Sequence, residues 1–408
     1  MSAAAALVAG FDLDAARWYA GKARDETGRR VVDAWPVGPG QLIVFAVDYA
    51  DGGHDLYLLP AIDADGLREA SPGDGVYAAL AGLSGEERAL GMDQTNTSVI
   101  VGDRIVKVYR RLEPGAHPEV ELLGALAARG FEGIPTVRGS ATRTLPSGAH
   151  VDLAVVQDLI EGAPDGWESL IAPLEALIGG AGDVADLGPE LARVGRTSGR
   201  LHAELAAAFG AQAAADAQRA GWRDGAREQL DEALRSLPPL LASELQHDAT
   251  RIRRELEGFT EGAAPLVTRV HGDLHIAQFL RTPAGVFAID FEGEPTRTID
   301  ERRQPTSPLR DVACLVRSLD HVARSAQVRA GLGAPVMDEW IRFAQDAVLT
   351  SYEDGLGDSC VRLDRRFLRL FCLEKELYEF VYAARILPEW LYAPQLGMQW
   401  LMRDDEAL

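Results

Sequence analysis

The chain of 408 residues is long enough for two or three lobes with substantial cores. Its 47% hydrophobic and 25% charged residues are those of a soluble globular protein, and its net charge of −21 disfavours nucleic acid or an anionic membrane as partner. The same acidity repels polyphosphates, so any nucleotide site here needs local cations and backbone donors.

In chain order, Met1–Gly10 lacks the basic region of a secretion signal and meets Asp12 and Asp14 too soon. No apolar run approaches the ~18 residues that span a bilayer. Three cysteines (Cys314, Cys360 and Cys372), odd in number and without metal-ligand spacing, suggest a reducing cytoplasm. Gln41–Tyr49 and Asp55–Pro60 read as neighbouring strands joined through Asp51-Gly52-Gly53. Strands are expected again at Thr97–Val101 and Arg104–Tyr109, with Gly102-Asp103 as a two-residue hairpin turn. A helix over His117–Arg129 ends at Gly130, and Val151–Gln157 forms an apolar strand. The pattern then becomes helical: Leu187–Phe209, Arg223–Leu237 and Ala242–Phe259 carry apolar residues every three or four positions. Ile178–Asp186 reads as a loop. A strand pair, Val267–His271 with Val286–Ile289, interrupts these helices, which resume at Leu309–Val328, Met337–Tyr352 and Arg362–Arg385.

The interruption carries the chemistry. His271-Gly-Asp-Leu-His-Ile-Ala-Gln278 and Ile289-Asp-Phe-Glu-Gly-Glu294 have the offsets of the protein-kinase pattern H-R-D-L-x-x-x-N followed by D-F-G. Phosphoryl transfer has a loose transition state, in which positioning and charge stabilisation dominate. Asp273 would orient or deprotonate the acceptor hydroxyl. Gln278 and Asp290 supply oxygen ligands for Mg²⁺ on ATP, and Glu292 or Glu294 a further ligand or a hold on metal-bound water.

Only three of the 41 basic residues are lysines: Lys22, Lys107 and Lys375. Lys107 alternates into a strand just after the hairpin, where a phosphate-binding lysine belongs. Glu121 is its preferred carboxylate partner and Glu119 the second choice. Gln94–Ser98 precedes the hairpin, and its hydroxyls (Thr97 and Ser98) with its backbone N–H groups can cradle phosphate. Val156–Ile160 joins the strand-rich and helical parts, so Gln157, Asp158 and Ile160 are candidate nucleotide contacts, adenine meeting the backbone there.

These residues resemble the aminoglycoside-phosphotransferase-like kinases, and within them the bacterial maltokinase-type group. The likeness runs through Arg17–Lys22, Gln94–Ser98, Arg110–Gly115, Asp165–Glu168, His271–Gln278, Ile289–Pro295 and Ser307–Ala313. It implies an α+β, bilobal protein-kinase-like fold: a β-rich N-terminal cap (1–85), an intermediate nucleotide-binding lobe with hinge (86–160) and a mostly helical C-lobe holding the acceptor (161–408). The C-terminal stretch departs from maltokinases. Leu373–Glu379, Tyr382–Arg385 and Leu387–Pro394 are similar instead to a related actinobacterial branch with glucosamine kinase activity, implying ATP-dependent transfer to the sugar's 6-hydroxyl.

A protonated amino group and a sugar ring favour a carboxylate-rich pocket with an aromatic wall. Glu374, Glu376, Glu379, Tyr378, Trp390 and Tyr392 offer both, and one or two of the glutamates are expected to line the site. His275 is a further acceptor-side candidate. Asp311 is grouped with them but is expected to brace the catalytic loop. The partner is then a small sugar or aminosugar, on a monomer or weak homodimer. Alternatives are a maltokinase forming maltose 1-phosphate, an aminoglycoside-type phosphotransferase, and a catalytically inactive nucleotide-binding regulator.

Overall fold

The computed structural model describes residues 2–91, 95–294, 297–330 and 335–403. Gln94 and Pro295, both assigned above, lie outside the described residues. The chain divides into two compact units, Met1–Ala127 with Pro135–Glu161, and Ala128–Ile134 with Gly162–Leu408.

The first unit opens with helix α1 (Ala3–Gly10), capped by the Ser2 hydroxyl. Strands β1 (Glu26–Val37), β2 (Gly40–Tyr49), β3 (His54–Asp63) and β4 (Leu67–Glu69) follow as an antiparallel meander. Ile43, Phe45 and Val47 alternate along β2 onto one face, where Val8, Trp18, Tyr19 and Tyr57 complete the core. The Arg17–Lys22 signature is therefore structural at its aromatic positions. Lys22 is exposed.

After α2 (Val76–Leu80), strands β5 (Glu87–Ala89), β6 (Thr97–Val101), β7 (Arg104–Val108), β8 (Arg111–Leu112), helix α3 (Pro118–Ala128), β9 (Val137–Thr144) and β10 (His150–Asp158) complete the unit. The second sheet runs β5-β6-β7-β10-β9, and β6 and β7 form the expected hairpin around Gly102 at φ +60°. The expected boundary at residue 85 separates the sheets only partly, because β8 pairs with β3 of the first sheet. Strand β9 has mostly exposed residues and offered no apolar alternation to read.

The second unit is helical: α4 (Gly166–Ile178), α5 (Gly188–Phe209), α6 (Asp216–Ser236), α7 (Pro239–Leu256), α8 (Ile299–Arg303), α9 (Pro308–Arg329), α10 (Pro335–Leu356), α11 (Arg365–Ile386) and α12 (Tyr392–Arg403). Four short strands lie among them: β11 (Gln212–Ala213), β12 (Leu266–Val267), β13 (Phe279–Thr282) and β14 (Gly285–Ala288). The expected pairing of Val267–His271 with Val286–Ile289 is not formed. Instead β12 pairs with β11, and β14 folds back on β13 through a turn in which the Thr282 hydroxyl accepts from the N–H groups of Ala284 and Gly285. A two-strand ladder that local costs little loop-closure entropy.

Helix α9 runs through the middle of this unit, buried from Asp311 to Ala326. Against α5, α10 approaches closely enough that a Cβ on Gly195 would lie 2.3 Å from the Val348 carbonyl oxygen. No helix among the described residues is long and apolar enough to cross a membrane.

Candidate active site

The catalytic loop follows β12 and is fixed by its own imidazole. His271 Nε2 donates to the Ile289 carbonyl at 2.8 Å, which leaves Nδ1 to accept from the Asp273 N–H at 3.4 Å. One ring thus ties the Asp273 loop to the Asp290 segment. Gly272 (φ +91°) and Gly293 (φ +77°) bring the two chains together, and a Cβ on Gly272 would stand 3.0 Å from the Gly293 Cα. Only glycine adopts these dihedrals at that separation without strain.

Asp311, in the first turn of α9, accepts from the N–H groups of His271 (2.8 Å) and Gly272 (2.9 Å) and from His202 Nε2 (3.0 Å). Burial would raise its pKa, but His202 and the backbone donors hold it below the ordinary carboxylate value. With both oxygens committed, Asp311 braces the loop, as expected, while it also lines the cavity described below. His202 passes the chain on to the Tyr352 hydroxyl at 2.9 Å. Ser318, one α9 turn and more beyond Cys314, accepts from the Ile276 N–H at 2.8 Å. Neither His202 nor Ser318 could be found from the sequence, since each sits in a helix that reads as amphipathic core.

Asp273 itself is approached by the Cys314 thiol, 3.7 Å from Oδ1, and by His275 Nε2, 3.9 Å from Oδ2. Burial pushes the Cys314 thiol well above its ordinary value, so it stays protonated and can donate weakly to the carboxylate. Gln278 Nε2 lies 3.3 Å from both Asp290 Oδ2 and His275 Nε2. Asp290 adopts φ +64°, a left-handed conformation that costs a non-glycine residue about 1–3 kcal/mol and is found at functional sites. Its carboxylate and that of Glu292 come within 4.8 Å of one another. Two hard oxygen donors this close, beside an amide, fit a divalent cation of the Mg²⁺ type.

A cavity of about 1010 Å³, counting the space at its mouth, opens beside this loop. Asp273, Glu294, Arg297, Arg310, Glu374, Lys375 and Tyr378 line it. Of the expected acceptor residues, Glu374, Tyr378 and Asp311 stand on its wall. Glu374 is paired with Arg310, although burial still pushes its pKa up. Four others do not reach the lining, among them Tyr392, whose ring meets Trp390 edge-on at 5.4 Å. Glu379 pairs with Lys375 at 2.8 Å. Glu376 is fully buried against Arg317 and His321, because it lies on the core side of α11. Trp390 packs with Trp167, its ring centroid 5.6 Å away, and edge-on to His321 at 6.0 Å. His275 is beside Asp273 rather than in the lining. Lys375 and Cys314, not assigned from the sequence, do line the cavity.

In the first unit, Lys107 on β7 forms an ion pair at 3.1 Å with Glu119, the second choice above. Glu119 stands in the first turn of α3, is buried and also accepts from the Tyr109 hydroxyl at 3.0 Å. Glu121, two positions on and roughly 200° round the helix, projects from another face. Ser98 lies directly opposite Lys107 in the ladder and shares its face of the sheet, while Thr97 points to the other and accepts from Arg110 at 3.4 Å. Only one of these two hydroxyls can therefore join Lys107. Gln157 is held in the ladder between Ile105 and Val137. The Asp158 carboxylate is held by Arg138 and Arg104, and its N–H donates to the Thr136 carbonyl at 2.9 Å. The Leu159 N–H likewise goes to Asp103, which makes Ile160 the remaining candidate of that segment for the adenine N–H contact.

The phosphotransferase enzyme family matches residues 86–342. A glucosamine kinase of Streptacidiphilus jiangxiensis is 35% identical over 377 residues, covering 84% of each chain. Another, of Mycolicibacterium smegmatis, is 31% identical over 84% of this chain and 92% of its own. Among solved structures, a glucosamine kinase superposes with a TM-score of 0.83 at 30% identity, over 98% of this chain and 99% of that one. A glucosamine kinase in complex with glucosamine, ADP and inorganic phosphate superposes with a TM-score of 0.78 at 30% identity, over 97% and 98% of the two chains.

Proposed function

The chain belongs to the phosphotransferase enzyme family, and from that premise we infer that it is an ATP-dependent glucosamine kinase, forming glucosamine 6-phosphate. The observation that carries the reading is a braced Asp273 on the wall of a carboxylate-bearing cavity, in a chain similar along nearly all its length to glucosamine kinases. Asp273 orients the attacking hydroxyl. Asp311, His271 and Ser318 hold its loop, so that little rearrangement is needed when the hydroxyl aligns with the phosphorus. Asp290, Gln278 and Glu292 would hold Mg²⁺, which neutralises charge on the phosphates when bound. Lys107, steadied by Glu119, is the first unit's candidate for holding phosphate. Glu374 and Tyr378 give the cavity an acidic and an aromatic element suited to an aminosugar.

An ADP-release assay over glucosamine, glucose, maltose and kanamycin tests this reading. Turnover should be fastest on glucosamine, with the phosphate at the 6-position by mass and NMR analysis of the product. Activity on maltose with none on glucosamine would sink it.

A further inference from the structure

Phosphoryl transfer needs cations around the moving group, and most of the basic residues lining the cavity are already committed. Of the basic residues lining the cavity, Arg297 is bonded to Glu294 at 2.6 Å and Arg310 to Glu374. Arg302 donates to the main-chain carbonyls of Arg297 (3.1 Å) and Glu292 (3.0 Å). Lys375 differs from all three. It sits on α11 between two acidic neighbours in sequence, yet its own side chain reaches the same wall as Asp273 and Cys314.

Its ammonium is tethered from one side by Glu379, one helical turn on, at 2.8 Å, and lies 4.8 Å from the centre of the Tyr378 ring. An ammonium carries three donors and this tether takes one, so the group is aimed without being used up. Burial works against its charge, but the Glu379 and Asp273 carboxylates keep it protonated. The Cys314 thiol in turn touches Asp273 Oδ1. An acceptor oxygen oriented by Asp273 must stand roughly 3–3.5 Å from the phosphorus in a reactive pose. Lys375 and Asp273 line the same cavity, into which that oxygen is presented.

We propose that Lys375 is a catalytic residue whose tethered ammonium contacts the phosphoryl group as it passes to the hydroxyl held by Asp273. The proposal rests on the kinase reading above, with no dependence on which sugar is the acceptor. A compact charge on a flexible four-carbon stem can follow a group that moves during the reaction, which a guanidinium locked in a bidentate pair cannot. Loss of the ammonium should therefore lower kcat while leaving ground-state binding in place.

The test compares full-length Lys375→Met and Lys375→Arg with wild type by steady-state kinetics, calorimetric binding of ADP and acceptor, and thermal melting. Lys375→Met is expected to lower kcat by about 100-fold or more, the range seen when a charge-stabilising donor is removed, with acceptor and ADP affinities within about threefold. Lys375→Arg should recover about tenfold of that loss. A kcat for Lys375→Met within about threefold of wild type, or a loss matched wholly by weaker acceptor binding, would overturn the assignment. Should the methionine variant not fold, Lys375→Cys treated with 2-bromoethylamine rebuilds an ammonium on a stem of similar length, with treated wild type as control for the exposed Cys360. Recovery of turnover on alkylation supports the proposal, and none contradicts it. If wild type proves inactive on glucosamine but active on another alcohol, the acceptor reading fails alone, and the Lys375 comparison is made on that alcohol.

Discussion

His321 on α9 lies among buried charges: Glu376 3.0 Å away, with Arg317, Asp320 and Arg324 joined to the same group. Asp320, His321 and Glu376 present ligand-type atoms within 4.8 Å, but the two arginines already neutralise the carboxylates. Burial would lower the His321 pKa; the Glu376 carboxylate overrides it and holds the imidazole above its ordinary value, with Glu379 adding to and Arg317 opposing that effect. A folded-state pKa raised in this way contributes stability below the unfolded value of about 6.5 and loses it as pH rises through the folded pKa. The melting temperature of wild type should therefore exceed that of His321→Gln by most near pH 6, with the gap narrowing toward pH 9. A gap that stays constant or widens with pH would contradict this. Asp311 illustrates the same residue-scale logic nearer the chemistry. Its value lies in what it accepts, two backbone N–H groups and an imidazole, and a carboxylate with that many donors is a brace.

The elements that place the loop meet at contacts too tight for any side chain. Gly166, at the start of α4, would put a Cβ 2.2 Å from the Ile276 carbonyl oxygen, inside the catalytic loop. Asp165 caps the same helix by accepting from the Glu168 N–H at 2.8 Å, so the Asp165–Glu168 signature both starts α4 and lets it dock against the loop. Gly166→Ala should lower kcat by about tenfold or more, since small misplacements of reacting groups carry large rate penalties. Gly225→Ala on α6, where nothing lies within 4 Å of the added methyl, should leave kcat unchanged. Equal behaviour of the two variants would refute the docking role. Much at this scale was legible in the residues themselves. The hairpin around Gly102-Asp103, the helix beginning near His117 and the long helices α5, α9, α10 and α11 follow from periodicity and turn chemistry. The β12 and β14 partners were not legible, because a short apolar strand does not say which neighbour it takes. Glu119 was ranked second to Glu121 because neighbouring first-turn glutamates differ only in the helix face that the packing selects. Helix α4 was missed too, its start masked by glycine and its interior broken by Pro173.

At the scale of the whole molecule, the sequence carried the reaction further than the acceptor. Asp273, Gln278 and Asp290 stand at fixed offsets along one stretch of chain, and the structure brings that stretch together around His271. The cavity wall comes instead from separate helices: Cys314 on α9, and Glu374, Lys375 and Tyr378 on α11. Which residues of α11 face inward depends on the rotation of the helix against its neighbours, and the sequence alternates acidic and apolar residues too evenly to reveal it. This is why Glu376, Glu379 and Trp390 looked equivalent to Glu374 and Tyr378, although they do not line the cavity.

The central claim is that the braced Asp273 carboxylate directs phosphoryl transfer from ATP to a glucosamine hydroxyl. Its most direct measurement is glucosamine-dependent turnover of Asp273→Asn beside calorimetric ATP binding of the same variant. Turnover should fall by about 10³-fold or more with ATP affinity within about threefold of wild type. Unchanged turnover in the Asp273→Asn variant would contradict the account.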